Sequence, residues 1–240
     1  KNLKICLAEA QPEAFIGIPK AHAARMVLGW SRQTIKTQIT VGRKIGWKGL
    51  SLDDVRQAGS GSQELPSMAT ESDAIAALLF TSGSTGVPKG VVYSHGNFMA
   101  QVDFLRKVFN LSPNEVDLAT FPPFALFDPA LGMTSVIPEM DPTRPAEVNP
   151  DNIFDAIERY QVTHMFGSPA LLNRISRAGE KQKLQLPSIR RVLSAGAPVP
   201  NKTLERMLKM LPEEAEIYTP YGATECLPVS TIGAREILAN

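Results

Sequence analysis

The chain is sparing in features that would tie it to a membrane, a disulfide framework or a polyanion. It has two cysteines, Cys6 and Cys226, far apart and without the paired spacing of a zinc site or a disulfide scaffold. A reducing cytoplasm is therefore the expected compartment. No apolar run reaches the about 18 residues that a membrane-spanning helix needs. Excess charge is missing too: 25 Lys and Arg stand against 24 Asp and Glu, so no electrostatic footprint points to nucleic acid or an anionic surface. The start, Lys1-Asn2-Leu3-Lys4, has neither Met nor the apolar core of a signal peptide, which predicts a trimmed or partial chain. No internal repeat is visible.

What remains is a globular composition, 240 residues with 43% hydrophobic residues, enough for a sizeable core. Residues 1–58 mix a short apolar run at 14–18 with a helix-like stretch at 20–30 and name no chemistry. Residues 59–72 open on Gly59-Ser60-Gly61-Ser62 and read as a flexible loop. From 73 to 240, apolar runs of strand length alternate with amphipathic helical patterns. Strands are expected at 75–81, 90–93, 117–121, 135–137, 164–166, 190–194 and 216–218. Helices are expected at 97–109, at 152–160 behind an Asp151 cap, at 169–177 with a stop near Gly179, and at 201–211. The order predicts an α/β fold, a mainly parallel sheet with right-handed crossovers and helices on both faces. In such sheets ligands bind at the carboxyl ends of the strands.

The most informative stretch is Leu78-Leu79-Phe80-Thr81-Ser82-Gly83-Ser84-Thr85-Gly86-Val87-Pro88-Lys89-Gly90-Val91. An apolar strand, read as buried, empties into three glycines, four hydroxyls and one lysine. Gly83, Gly86 and Gly90 let the backbone aim N–H groups at an anion, Thr81, Ser82, Ser84 and Thr85 add donors, and Lys89 supplies a mobile charge. These residues suit a phosphate. The Walker A pattern does not fit, because Gly83, Gly86 and Lys89 fall at intervals of three and Gly90 follows the lysine. Further on come Ser194-Ala195-Gly196-Ala197-Pro198 and Tyr218-Thr219-Pro220-Tyr221-Gly222-Ala223-Thr224-Glu225. Tyr221 offers a flat face for a base, Gly222 close backbone approach, Thr224 a hydroxyl, and Glu225 a hard oxygen ligand for Mg²⁺.

These three segments, in this order, resemble the signatures of the adenylate-forming superfamily, which contains acyl-CoA synthetases, luciferases and peptide-synthetase adenylation domains. The resemblance implies that the chain is part of the large N-terminal domain of an ATP- and Mg²⁺-using enzyme. It implies that Thr81, Ser82, Gly83, Ser84, Thr85, Gly86 and Lys89 hold phosphate. Ala195, Gly196 and Ala197 line adenine, Tyr221 stacks on it, Thr224 meets the α-phosphate and Glu225 holds the metal, with Lys89, Thr224 and Glu225 as the catalytic groups.

Between the signatures lies an aromatic, nearly uncharged segment, residues 121–133, in which Phe124, Phe127 and Gly132 are candidates for an acyl-binding wall. Asp128 and Arg144 are polar groups near it, and His95 and His164 read as structural. Many superfamily members carry a histidine in this segment; here there is none. Residues 124–132, followed by Asp141-Pro142-Thr143-Arg144-Pro145, resemble the β-lactone synthetases of bacterial long-chain olefin biosynthesis. That resemblance implies activation of a long-chain 3-hydroxy fatty acid as acyl-AMP and closure to a β-lactone without coenzyme A. A fatty acyl-CoA ligase using CoA and a non-catalytic nucleotide-binding module are the alternatives, and a homodimer or pathway enzymes are the candidate partners. The chain ends fifteen residues after Glu225, so the ribose-binding acid, hinge and C-terminal lid domain of the superfamily are expected to lie outside it.

Overall fold

The structure is a computed structural model that describes residues 2–61, 69–81 and 88–240. It divides into two compact units, residues 1–97 and 98–240.

The first unit opens with α1 (Asn2–Ala10), β1 (Ala14–Gly17), α2 (Pro19–Leu28), β2 (Thr37–Thr40), β3 (Leu50–Ser51) and α3 (Leu52–Gly59). Strands β1, β2 and β3 form a small parallel sheet. Helix α3 starts on a capping box in which Ser51 and Asp54 satisfy each other's backbone N–H. Next come β4 (Ile75–Thr81) and β5 (Lys89–Ser94), which pair antiparallel as a two-stranded ribbon outside any parallel sheet. The strand expected to be buried before the phosphate loop is in fact largely exposed: Ile75 and Leu78 are 65% and 40% accessible. Apolar sequence alone does not bury a strand; it needs a layer packed on each face.

Helix α4 (His95–Val108) spans the division between the units. The second unit continues with β6 (Val116–Ala119), α5 (Asp128–Leu131), β7 (Thr134–Val136), α6 (Pro150–Tyr160), β8 (His164–Phe166), α7 (Pro169–Gln182), β9 (Arg191–Leu193), α8 (Asn201–Leu208) and β10 (Glu216–Tyr218). Strand order is β10-β9-β8-β6-β7, every pair parallel, as the alternating pattern predicts. Numbered within the sheet this is 2-1-3-4-5, with a topological switch point between β6 and β8. A short hairpin, β11 (Tyr221–Ala223) with β12 (Cys226–Ser230), and α9 (Ala234–Ala239) complete the unit.

Strand side chains alternate, and each face has its own cover. On one face Leu118, Met165, Val192 and Ile217 are fully buried against Ile153 and Ile157 of α6, Leu171 and Ile175 of α7, and Leu204 and Met207 of α8. On the other, Leu193 and Tyr218 pack with Val102, Phe109, Leu111, Leu131 and Met133.

Two helix ends differ from expectation. Helix α6 is capped by Asn149, whose side chain accepts from the Asp151 N–H, with Pro150 in the first turn, so Asp151 is inside the helix and not its cap. Helix α7 runs through Gly179 to Gln182 and ends at Lys183 in the left-handed region. Gly179 is a packing residue: a Cβ there would stand 2.1 Å from the Met210 methyl, so any side chain would have to push that methionine aside.

Candidate nucleotide and acyl site

The loops that leave the carboxyl ends of β6, β9 and β10 bear most of the candidate residues. After β6, Thr120 donates its hydroxyl to the Phe166 carbonyl at 2.6 Å and ties the two strands across the switch point. Pro122 then starts a 3₁₀ turn, Pro122–Leu126, which Pro can begin without losing a hydrogen bond. This turn brings Phe124 edge-on to Phe166, ring centroids 4.7 Å apart, and to Phe121 at 5.1 Å. The result is an aromatic cluster in the crevice between β6 and β8. Phe121 is 44% and Leu126 80% exposed, so the cluster keeps an apolar surface open. Phe127 instead packs inward, against Phe98 at 5.9 Å. Gly132 lies at the amino end of β7, away from this edge, with φ +77° where it caps α5 over Pro113.

After β9, Ser194 donates its N–H to the Tyr218 carbonyl at 3.0 Å, which holds the β9 and β10 loops side by side. Gly196 follows with φ +91°, and no atom lies within 4 Å of where its Cβ would be, so this backbone turns into open space. Ala195 is half-buried and Ala197 exposed. After β10, Thr219 bonds through N–H and hydroxyl to the Ile232 carbonyl, and the chain enters the β11–β12 hairpin. Tyr221 begins this hairpin with its ring 70% exposed, and Thr224 and Glu225 form its turn. Gly222 is required by the hairpin itself: a Cβ would sit 2.8 Å from the Cys226 carbonyl and 2.7 Å from Leu227. The sequence reading assigned that close approach to a ligand, whereas here the partner strand occupies it.

In the first unit, Thr81 and Lys89 are register partners across the β4–β5 ribbon. The other phosphate-loop candidates, Ser82, Gly83, Ser84, Thr85 and Gly86, lie outside the described residues.

One cluster was not legible in the sequence. Ser135, Asp117 and His164 are register partners on β7, β6 and β8 and so share one face. His164 Nδ1 meets Asp117 Oδ1 at 2.5 Å, and the Ser135 hydroxyl donates to Asp128, the first residue of α5. Burial, then the neighbouring Asp117 charge, pushes the Asp128 carboxyl up to about 6. In the next row position, Arg191 forms a two-pronged pair with Glu115 at 2.6 and 2.9 Å. Burial pushes the Glu115 carboxyl up, but the Arg191 guanidinium and the Ser112 N–H outweigh it and hold the carboxyl below its ordinary value. Arg144 pairs at the surface with Glu147 at 3.0 Å.

The donor set suits a nucleotide with Mg²⁺. Mg²⁺ keeps most of its waters and takes one or two carboxylates plus phosphate oxygens. A single exposed Glu225 at a hairpin turn meets that need, and no group of three or more metal-ligating side chains occurs among the described residues. No helix among the described residues is long and apolar enough to cross a membrane.

The sequence profile of the AMP-binding enzyme family matches residues 1–239. The chain is 53% identical over 237 residues to an olefin beta-lactone synthetase of Stenotrophomonas maltophilia, covering 99% of this chain and 42% of that protein. It is 52% identical over 242 residues to an olefin beta-lactone synthetase of Xanthomonas campestris, covering 100% and 42%. The chain thus spans less than half the length of these relatives. Among solved structures, the N-terminal domain of FACL13 from Mycobacterium tuberculosis superposes with a TM-score of 0.78 at 17% identity, over 99% of this chain and 57% of that one. That likeness concerns the fold alone.

Proposed function

The chain belongs to the AMP-binding enzyme family, and from that premise we propose that it is part of an enzyme that activates a long-chain 3-hydroxy fatty acid as acyl-AMP and closes it to a β-lactone. The observation that carries the reading is the arrangement at the sheet's carboxyl edge. An open aromatic cluster on the β6 and β8 loops stands beside the β9 and β10 loops that bear Gly196 and Tyr221. An apolar chain and a nucleotide base are the two parts that an acyl-adenylate would place there.

In the first step a substrate carboxylate oxygen attacks the α-phosphorus of ATP, and the bond to the pyrophosphate oxygen breaks. Two anions must approach, so positioning and charge neutralisation do most of the work. Thr81, residues 82–86 and Lys89 are assigned to phosphate, Thr224 to the α-phosphate, and Ala195, Gly196, Ala197 and Tyr221 to the base, while Gly222 serves the hairpin. Glu225 would hold Mg²⁺, which supplies positive charge against the phosphate oxygens. Phe124, with Phe121 and Phe166, forms the acyl wall; Phe127 supports it from the core side. In the second step the 3-hydroxyl oxygen of the same acyl chain attacks the activated carbon, its proton leaves, and the bond to AMP breaks. An internal nucleophile gains an effective molarity of about 10⁵ M or more when well oriented, which works against the strain of a four-membered ring. The relatives named olefin beta-lactone synthetases support this second step, and the absence of histidine from residues 121–133 leaves carboxylate placement to other groups.

The test is pyrophosphate release by the full-length protein with ATP, Mg²⁺ and a long-chain 3-hydroxy acid, with and without CoA. Release without CoA, together with lactone, is the expected result. Release only with CoA, and a thioester product, would replace lactone closure by an acyl-CoA ligase reaction.

A further inference from the structure

The reaction proposed above gives no role to the buried polar cluster beneath the aromatic wall. Asp128 directly follows the wall, and backbone bonds couple the two: Phe127 N–H donates to Phe124 at 3.0 Å, Leu131 N–H to Phe127 at 3.0 Å, and Met133 N–H to Asp128 at 2.8 Å. Asp128 is 4% exposed, so its carboxyl is the point at which the loop is anchored in the sheet. Every polar neighbour comes from another element. Ser135 of β7 donates to it, Asp117 of β6 faces it, and His164 of β8 meets Asp117. The His164 Nε2 is buried without a hydrogen-bond partner among the described residues, and its Nδ1 meets Asp117. From α4, Arg106 reaches the Ala130 carbonyl at 3.1 Å, and Arg191 of β9 is engaged by Glu115. The 3₁₀ turn, Pro-Pro-Phe-Ala-Leu, brings no charge. Two carboxyls and one imidazole therefore face one another, with Arg106 and Arg191 engaged elsewhere. Such a group holds together best when the carboxyls share a proton, since two adjacent buried carboxylates repel.

Resting on the acyl-activating reading, we propose that Asp128 is a positioning residue for the acyl wall, holding residues 121–127 in place through its proton-sharing contact with Asp117, Ser135 and His164. Raised acidity of the medium favours the shared proton and the anchored loop; its loss, as pH climbs through about 6, sets two carboxylates against each other and loosens the loop. Asparagine keeps the shape, hydrogen-bonds without charge and has no proton to lose.

The experiment compares the full-length wild-type enzyme with Asp128→Asn and Asp128→Ala, measuring KM for the 3-hydroxy acid, KM for ATP and kcat from pH 5.5 to 8. Asp128→Ala is expected to raise the acid KM about tenfold with the ATP KM unchanged. Asp128→Asn is expected to hold the wild type's low-pH acid KM and to abolish its rise with pH. Equal behaviour of the two variants, an Asn variant that keeps the wild-type pH profile, or ATP and acid KM rising together would overturn the proposal. Should Asp128→Ala fail to fold, the pH profile of Asp128→Asn decides alone. A wild type that releases no pyrophosphate with any acid refutes the acyl-activating reading instead, a result distinct from any difference between variants.

Discussion

The two ends of the parallel sheet make opposite use of polar groups. At the amino half, Ser135, Asp117, His164 and Arg191 lie side by side in register, Asp117 and His164 buried and the other two half-buried, and each meets a partner inside the fold. At the carboxyl edge, Gly196 turns into open space, and Tyr221 and Glu225 stand exposed. Buried charges must be matched by the protein itself, because water cannot do so. Groups kept for a ligand must instead remain accessible until it arrives. The comparison assigns stability to one end of the sheet and recognition to the other, and each variant below tests that division.

The largest effect is expected from Arg191→Ala. It leaves Glu115 buried without its counter-charge, and removing one member of a buried pair costs about 3–5 kcal/mol. Urea unfolding of the full-length protein measures it, and a loss below 1 kcal/mol would break the comparison. The pair also predicts a pH dependence. The Glu115 carboxyl sits below its ordinary value of 4.5 in the folded state, so its stabilisation is present above pH 4.5 and is lost as pH falls through the lowered value. Arg191→Ala should flatten that acid limb.

Next in size, Glu225→Gln is expected to slow adenylate formation by about 10² or more, as loss of one transition-state contact costs about 3–4 kcal/mol. The urea midpoint should stay within error of the wild type, because Glu225 is exposed. Single-turnover pyrophosphate release reads the first, and an unchanged rate would remove Glu225 from the site.

The smallest effect belongs to neither end. Asn149→Ala removes the cap of α6 and should cost about 1 kcal/mol of stability with no change in either KM. This calibrates what scaffold damage alone does to the kinetic assays.

Much of this protein was readable before its structure. The spacing of short apolar runs and amphipathic stretches located the strands and helices of the parallel sheet to within a few residues, since periodicity is a local property of the chain. The two later signatures were legible as well, and strands β9 and β10, which deliver them, prove to be neighbours. The Asn149 cap was missed because Asn and Asp are equally good caps and two candidates lie close together. The stop at Gly179 was wrong because a glycine that ends a helix and one that admits a neighbour look alike until Met210 is seen against it.

By itself, then, the sequence determined the fold class and the alternation of strands and helices in the parallel sheet, because each rests on neighbours along the chain. Only the tertiary structure decided three other things. The β4–β5 ribbon pairs antiparallel, Phe166 joins the wall built by Phe124, and Asp117, His164 and Asp128 meet below it. Each depends on which strand lies beside which, and in what register. A one-residue slip would turn His164 away from Asp117 to the other face, and no pattern within a single strand encodes that choice.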